Sequence, residues 1–118
     1  MTRDFTIPGM RLRTQTNNTG HWSNRAREAK AQRFMLACHW LAALGRETLP
    51  RPYLVTITRV GPRRCDQSNV VTSAKHVQDQ IADCLHIDDG DDEVAWIYKQ
   101  ELGPFAVKVR VCAGRGNP

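Results

Sequence analysis

The feature that most constrains this chain is an apolar repeat at helical spacing in its second half. From position 70 to position 85 apolar side chains recur every three or four residues, the period of a helix that covers a core; they are Val70, Ala74, Val77, Ile81 and Leu85. Lys75 and Asp79 lie four residues apart on another face, where they can form an ion pair. We therefore predict one helix that begins at Ser68 or Asn69 and ends at Leu85.

Four other stretches predict the strands of a sheet. They are rich in β-branched and aromatic residues or alternate between apolar and polar ones, and they span residues 4–8, 53–60, 94–101 and 105–112. The second carries apolar groups on both faces, so we predict that it is central in the sheet. A turn at Leu102-Gly103-Pro104 separates the last two, which predicts a hairpin.

A further helix is predicted between a cap at Ser23 or Asn24 and its end at Gly45. Its later turns carry apolar residues at helical spacing that we expect to face the core, namely Phe34, Cys38, Leu41 and Leu44. Its first turns are basic, which opposes the helix dipole and suggests that they face an anion. The polar segment 9–20 before it is predicted to be a loop, mobile unless a ligand orders it.

In chain order the predicted elements are β-α-β-α-β-β, which indicates a mixed α/β (α+β) fold. A length of 118 residues is ordinary for one domain, so we assign residues 1–118 to a single small domain. Residues 1–3 and 113–118 are expected to be flexible ends.

No apolar run approaches the roughly 18 residues that a membrane span needs, and charged residues interrupt the N-terminal segment where a signal peptide would be apolar. We therefore expect a cytoplasmic protein with no membrane partner. Its four cysteines form no C-x-x-C pair and match no structural zinc spacing, and Cys38 and Cys84 fall on apolar helix faces. Buried free thiols are accordingly predicted in preference to zinc ligands.

The charges of the chain are unevenly distributed. Residues 1–64 carry twelve Lys and Arg against three Asp and Glu, a balance of +9, and residues 65–118 carry five against nine, a balance of −4, which sum to the net +5. Arg outnumbers Lys thirteen to four, and its planar fork binds phosphate oxygens in pairs. A basic half of this kind is typical of nucleic-acid binders, although a genome rich in arginine would give the same composition.

The predicted helix from Ser68 to Leu85 has carboxylates beyond both ends. Asp66 precedes it, and a dense acidic loop follows it with Asp88, Asp89, Asp91, Asp92 and Glu93. Crowded carboxylates repel one another unless a cation or protons neutralise them, and oxygen ligands with few nitrogen or sulfur donors suit Mg²⁺ or Mn²⁺. The loop has some features of a calcium-binding EF-hand but lacks its full ligand spacing. An acidic loop that is simply solvated is the plainer alternative.

Over most of its length the chain resembles the RusA family of Holliday-junction resolvases, in particular phage-encoded members. The family pattern is a strand ending in R-x-x-x-x-D-x-D-N, a helix with K-x-x-x-D, the run L-x-x-D-D-G-D, and an aromatic strand that ends near Gln. The matching residues here are Arg64 or Arg63, Asp66, Asn69, Lys75, Asp79, Leu85, Asp88-Asp89-Gly90-Asp91, Trp96, Tyr98 and Gln100; upstream, IPG at 7–9, HW at 21–22 and TRVG at 58–61 also fit.

The resemblance implies a small α/β domain that forms a homodimer and cleaves four-way DNA junctions by paired nicks, a hydrolase of DNA recombination and repair. It implies Mg²⁺, with Mn²⁺ as a possible substitute, and no small-molecule cofactor. Asp66 and Asp89 would be metal ligands and Lys75 a helper cation, so these three are the predicted catalytic residues. The predicted supporting residues are Ser68, Asn69 and Asp79, and the predicted DNA-binding residues are Arg11, Arg13, Asn17, Arg25, Arg27, Lys30, Arg63 and Arg64.

One position departs from the family pattern, because Ser68 stands where the second Asp of D-x-D-N is expected. A neutral hydroxyl in place of an acidic ligand should lower the metal affinity. Asp88 or Asp91 could compensate as ligands, water could fill the gap, or the chain could be a weakened or inactive nuclease that still binds junctions. A homodimeric interaction module whose acidic loop meets a basic partner is the third hypothesis. Trp22 could stack on unpaired bases, whereas Trp40 is expected in the core.

The predicted helix also has a geometric consequence. Seventeen residues from Asn69 to Leu85 span about 25 Å, whereas a ligand lies only about 2.1 Å from Mg²⁺. Two copies related by a two-fold axis, with this helix antiparallel to its counterpart, would bring Asp66 of one subunit near Asp89 of the other. We therefore hypothesise composite metal sites across a dimer.

Overall fold

The structure, a computed structural model, describes residues 1–13, 22–88 and 90–114. Within these ranges it is a mixed α+β domain with a four-stranded sheet and three helices. The elements in chain order are β1 (Thr2–Pro8), α1 (Trp22–Leu44), β2 (Tyr53–Gly61), α2 (Gln67–Ser73), α3 (Lys75–Leu85), β3 (Val94–Leu102) and β4 (Ala106–Ala113). None of the described helices has the length and hydropathy of a membrane span.

The strand order is β1-β4-β2-β3, and this order corrects the predicted hairpin. β4 lies between β1 and β2 and is antiparallel to both, whereas β3 lies beyond β2 and runs parallel to it. Parallel neighbours need a long crossover, which the helices between β2 and β3 provide. β4 takes a central place because its inward side chains Val107, Val109 and Val111 are fully buried, while β3 alternates between half-buried and exposed. The prediction that β2 is central is confirmed.

The helices cover one face of the sheet, and none of the described elements covers the other. Val55 and Ile57 of β2 are fully buried beneath the helices, and the alternate residue Thr56 lies on the opposite face with the exposed residues Lys108 and Lys99 of the neighbouring strands. This period-two alternation is that of a sheet with one covered face. The domain therefore has two layers, with its core between them.

The second predicted helix is two helices that meet at Ala74. The predicted apolar stripe is confirmed, because all five of its residues are buried. Ala74 itself has φ −87° and ψ 0° and ends the first helix. Just before it, the Thr72 hydroxyl donates to the Ser68 carbonyl (2.9 Å) and the Ser73 hydroxyl to the Val70 carbonyl (3.0 Å). Hydroxyls that bond back to the preceding turn bend helices, so the observed order is β-α-β-α-α-β-β.

The predicted core face of α1 is wrong for three of its four residues. Phe34 is 69% exposed, Leu41 is 54% exposed and Cys38 is also exposed, whereas Leu44 is buried as predicted. The side chains that face the core are Gln32, Leu36, Trp40 and Leu44. Both sets recur at helical spacing, so periodicity alone could not separate them. Contacts with other elements fix the rotation: Trp40 packs edge-on against Phe5 of β1, with ring centroids 6.1 Å apart.

Two smaller predictions are also corrected. Met10 and Leu12, in the segment predicted to be a polar loop, are each 4% exposed and belong to the core, so they anchor that segment. The four cysteines are free, as predicted, but Cys38 is exposed and the others are half-buried. Burial raises the pKa of the Cys84 thiol, which keeps it protonated at neutral pH.

A leucine pair tests the assignment of the core. Leu36→Ala should lower the free energy of unfolding by about 2–5 kcal/mol, because it removes a fully buried side chain and leaves a cavity. Leu102→Ala, at an exposed position, should change it by no more than about 0.5 kcal/mol. Urea unfolding followed by circular dichroism measures both, and equal losses would contradict the core described above.

Candidate functional site

Asp66 lies at the corner where the chain leaves β2 and enters α2. Its extended backbone (φ −61°, ψ 146°) caps the helix, and its carbonyl accepts the N–H groups of Asn69 (2.9 Å) and Val70 (3.1 Å). The preceding residue is fixed to β3, because Cys65 N donates to Gln100 Oε1 (3.0 Å) and Gln100 Nε2 donates to the Cys65 carbonyl (2.8 Å). The Asp66 side chain is exposed and makes no capping hydrogen bond. Within residues 1–13, 22–88 and 90–114 this carboxylate has no hydrogen-bond or ion-pair partner, so it can receive a cation while its backbone is held in place.

Predicted site residues surround Asp66 on both sides. Ser68 is exposed and Asn69 half-buried in the first turn of α2, and Arg63 and Arg64 are exposed just before Asp66. The two arginines follow a tight turn that Arg59 stabilises by donating to the Arg63 carbonyl (2.8 Å). The Arg59 guanidinium lies so close to Gly61 that an added Cβ would be 3.0 Å from it. This corner therefore combines one exposed carboxylate with two exposed cations.

Lys75 begins α3 and forms the predicted ion pair with Asp79, with Nζ and Oδ1 3.8 Å apart. It also lines a small hollow of about 120 Å³ between α1 and the α2–α3 junction, and Arg13 lines the same hollow. Glu28, Gln32 and His76 contribute to its wall. The fold thus brings together two predicted site residues that are far apart in sequence. Nine helical steps of about 1.5 Å place Lys75 within roughly 14 Å of Asp66.

The hollow beside Lys75 contains a polar group that sequence reasoning missed. Gln32 is 7% exposed, and among the described residues its Oε1 atom has no hydrogen-bond partner. A buried amide oxygen normally has a donor, so this face of the hollow can accept a hydrogen bond. No motif indicated Gln32, since it lies in a helix whose rotation the sequence did not determine.

The acidic loop is partly committed to contacts of its own. Asp91 accepts the Glu93 N–H at Oδ1 (2.9 Å) and Arg51 Nη1 at Oδ2 (3.1 Å), and Arg51 also contacts Glu93 (3.4 Å). The Glu93 N–H and the Arg51 guanidinium together hold the pKa of Asp91 below its ordinary value. A metal ion would have to displace Arg51 to use that oxygen, so Asp91 fits poorly as a replacement ligand. Asp88 is exposed, and Asp89 lies outside the described residues.

The corner at Asp66 and the acidic loop lie at opposite ends of the β2–β3 pair. Tyr53, at the start of β2, donates its N–H to the Glu93 carbonyl (2.8 Å), while Gln100 near the far end of β3 holds Cys65. Seven strand steps between positions 93 and 100 span about 23 Å. Asp66 and Asp91 of one subunit therefore cannot bind the same ion. Among the described residues, no three His, Cys, Asp or Glu side chains converge as a metal site.

The remaining predicted DNA-binding residues differ in their exposure and in their contacts. Arg27 and Lys30 are exposed on α1, and Arg25 is half-buried. The Arg11 guanidinium lies over the Phe105 ring, 4.8 Å from its centroid, a cation–π contact that fixes the segment after β1. Trp40 is buried and cannot stack on bases. Asn17 and the side chain of Trp22 lie outside the described part of the chain.

No protein-family model and no curated protein matches this sequence. The candidate site therefore depends on its geometry and on the motif resemblance. Arg51, which sequence reasoning missed, follows a turn and contacts carboxylates 40 and 42 residues later, a separation that gives no local signal.

Arg51→Gln should raise the pKa of Asp91 toward its ordinary value, although only in part, because the Glu93 N–H remains. A lowered carboxyl pKa contributes stability above the unfolded-state value of about 3.9, and this stability is lost as the pH falls through the folded-state value. The variant should accordingly lose less stability on acidification. An NMR titration of the Asp91 carboxyl carbon measures the shift. Arg46→Gln, which changes an exposed arginine elsewhere, is the matched control. An Asp91 pKa that is the same in Arg51→Gln as in the wild type would disprove the contact.

Proposed function

We propose that this protein is a Mg²⁺-dependent, structure-specific endonuclease that resolves four-way DNA junctions. The observation that carries the proposal is the exposed carboxylate of Asp66, which has no partner among the described residues and lies at a strand-to-helix corner that follows Arg63 and Arg64. The geometry of this corner suits a metal ion beside a phosphodiester, and the same residues carry the motif resemblance. The chain's strong positive balance over residues 1–64 agrees with a polyanionic substrate.

The residues present at the corner fit a hard cation. Asp66 offers carboxylate oxygens that no capping contact occupies, and Ser68 offers a hydroxyl one residue beyond the start of the helix. Bound Mg²⁺ would supply an activated water and neutralise charge on the phosphate. Asp66 would hold the ion, and Lys75, whose Nζ lies 3.8 Å from Asp79 Oδ1, would place positive charge near the leaving oxygen. Mn²⁺ can occupy such oxygen sites as well.

Exposed cations define the path that we propose for the DNA. Arg13 and Lys75 meet at the hollow, Arg63 and Arg64 flank Asp66, and α1 adds Arg27 and Lys30. Such contacts to phosphates carry no sequence information but position the duplex. Binding should weaken with salt in proportion to the number of phosphates neutralised.

A complete metal site is proposed to need two copies of the chain. The 23 Å scale of the separation along β2 and β3 keeps Asp66 away from the acidic loop of its own subunit. In a two-fold dimer with antiparallel crossovers, the acidic loop of one subunit would approach Asp66 of the other, with Asp89 as the proposed second ligand. Two such sites would match a junction that is cut twice.

A junction-binding protein without nuclease activity is the second candidate. The observation that favours it is Ser68, exposed in the first turn of α2 where the family pattern has a second acidic ligand. Under this alternative the basic contacts are kept while the metal affinity is lost.

Cleavage of a labelled four-way junction beside a linear duplex of matched length tests the proposal. With Mg²⁺ or Mn²⁺ the wild type should nick the junction symmetrically and leave the duplex intact. Asp66→Asn should lower the rate more than about 100-fold, beyond the 10–100-fold effect of outer partners of metal ligands. Asp4→Asn, on the open face of the sheet, is the control and should cut normally.

The same assay separates the two candidates. Tight junction binding without nicks, followed by nicks in Ser68→Asp, would identify a nuclease that this serine has weakened. Binding without nicks in both proteins would favour the second candidate. Failure to bind junctions in preference to duplex would remove both.

Mixed dimers test the composite site. Asp66→Asn and Asp89→Asn chains are each expected to be inactive alone. If each site takes Asp66 from one subunit and Asp89 from the other, a mixed dimer regains one intact site and nicks one strand of the junction. If both ligands come from the same subunit, every site in the mixture carries one defect and no nicking returns. Mixing two different Asp66 variants, Asp66→Asn and Asp66→Ala, is the matched control.

A further inference from the structure

The exposed face of α1 is apolar over three turns. Phe34, Met35, Cys38 and Leu41 all lie on the solvent side of this helix, and Ala31 and Ala42 extend the same stripe. The segment 34–45 contains no Asp, Glu, Lys or Arg in a chain that is 25% charged. Contiguous apolar surface without charge is the composition of an interface core. We name these six residues the α1 stripe.

A groove that is mostly apolar, although Arg46, Glu47 and His86 also line it, runs beside the C-terminal half of the α1 stripe. It lies between α1, the loop after it and the end of α3, and it has a volume of about 420 Å³. Leu41 and Gly45 form its mouth, and Trp40, Leu49 and Leu85 form part of its wall. The groove is large enough to receive an aromatic side chain, but Phe34 of the same chain lies nearly two turns away along the helix.

We propose that the α1 stripe is the contact surface for a second copy of this chain, with the two helices antiparallel about a two-fold axis at Cys38. In this arrangement the residue n positions before Cys38 in one copy is level with the residue n positions after Cys38 in the other copy. Phe34 of one copy then lies at the groove mouth beside Leu41 and Gly45 of the other. Met35 is level with Leu41 of the other copy, and the small side chain of Ala42, level with Phe34, leaves room for that ring. Because the axis is two-fold, the same contacts occur twice.

Charge favours this antiparallel pairing over a parallel one. The first half of α1 carries Arg25, Arg27, Lys30 and Arg33, so parallel helices would bring like charges together. Antiparallel helices place these cations at opposite ends of the pair, each set nearer the partial negative charge of the partner's helix C-terminus. An unrelated basic partner would meet the repulsion that the two-fold arrangement avoids.

The surface area that α1 alone can bury in a dimer is too small for a standard interface, which explains why Phe34 has to enter the groove. A helix of 23 residues is about 35 Å long and 10–12 Å wide, so the helix surface alone supplies about 400 Å² per copy. A standard interface buries about 800 Å² per partner. Burial of Phe34 in the groove engages the loop after α1 and the end of α3, which brings the contact toward that value. We expect a dimer at the smaller end of the standard range.

This dimer deepens the proposed function, since the composite metal site rests on two copies with antiparallel crossovers. The contact itself is independent of nuclease activity, and its test uses no DNA and no metal ion.

Sedimentation equilibrium of the full chain tests the interface. The wild type should dimerise, and Phe34→Glu should raise the dissociation constant at least about 30-fold, because it places a charge in the groove. Leu102→Glu, which changes another exposed apolar residue on β3, should leave the constant unchanged. Circular dichroism confirms that both variants are folded, and equal weakening by both would overturn the proposal.

Thiol crosslinking tests the axis without any substitution in the stripe. A short bismaleimide, which adds one thiol to each of its two double bonds, should join Cys38 to Cys38 of the second copy, as identified by peptide mass spectrometry. Crosslinks through Cys112 or Cys65 in place of Cys38, or a wild type that stays monomeric at millimolar concentration, would overturn the proposal. A Cys38-linked dimer that cuts no junction would leave this interface intact and refute only the nuclease.

Discussion

The parallel pairing of β2 with β3 is the constraint on which the arrangement of this domain depends. Parallel neighbours cannot be joined by a tight turn, so the chain must cross over the sheet from the end of β2 to the start of β3. The crossover carries the apolar stripe of α2 and α3 into the core and leaves one acidic group at each end of the strand pair. Asp66 therefore stands where the crossover begins, and Asp88 and Asp91 stand where it ends.

Much of this could be predicted from the sequence, and the failures share one cause. Period-two and period-3.6 patterns located every strand and the buried stripe of α2 and α3, because those patterns record which faces are covered. They did not order the strands: the turn at 102–104 reads as a hairpin, but β4 crosses to the far side of β2 because its three valines need burial on a central strand. Nor did they fix the rotation of α1, where both faces are apolar and contacts with β1 decide.

The candidate site shows the same division between local and distant information. The position of Asp66 before a helix and the Lys75–Asp79 ion pair were predicted from local spacing, and the structure shows both. Other features of the site join segments at least 40 residues apart. Arg51 contacts the acidic loop, and the hollow shared by Arg13 and Lys75 brings the buried Gln32 of α1 beside the α2–α3 junction. Such contacts arise from tertiary packing, and no spacing in the sequence encodes them.

The order of the strands also bears on how the chain can be assembled as it is synthesised. β1 and β2 never touch, and the strand that joins them, β4, is the last described element to be made. Thr2 pairs with Cys112, so about 110 residues must be synthesised before β1 can pair with β4, its neighbour among the described strands. Until then α1 and the crossover lack the central valines on which they pack. The domain is therefore expected to fold only once β4 has been synthesised, as one cooperative event that depends on contacts between its first and last described strands.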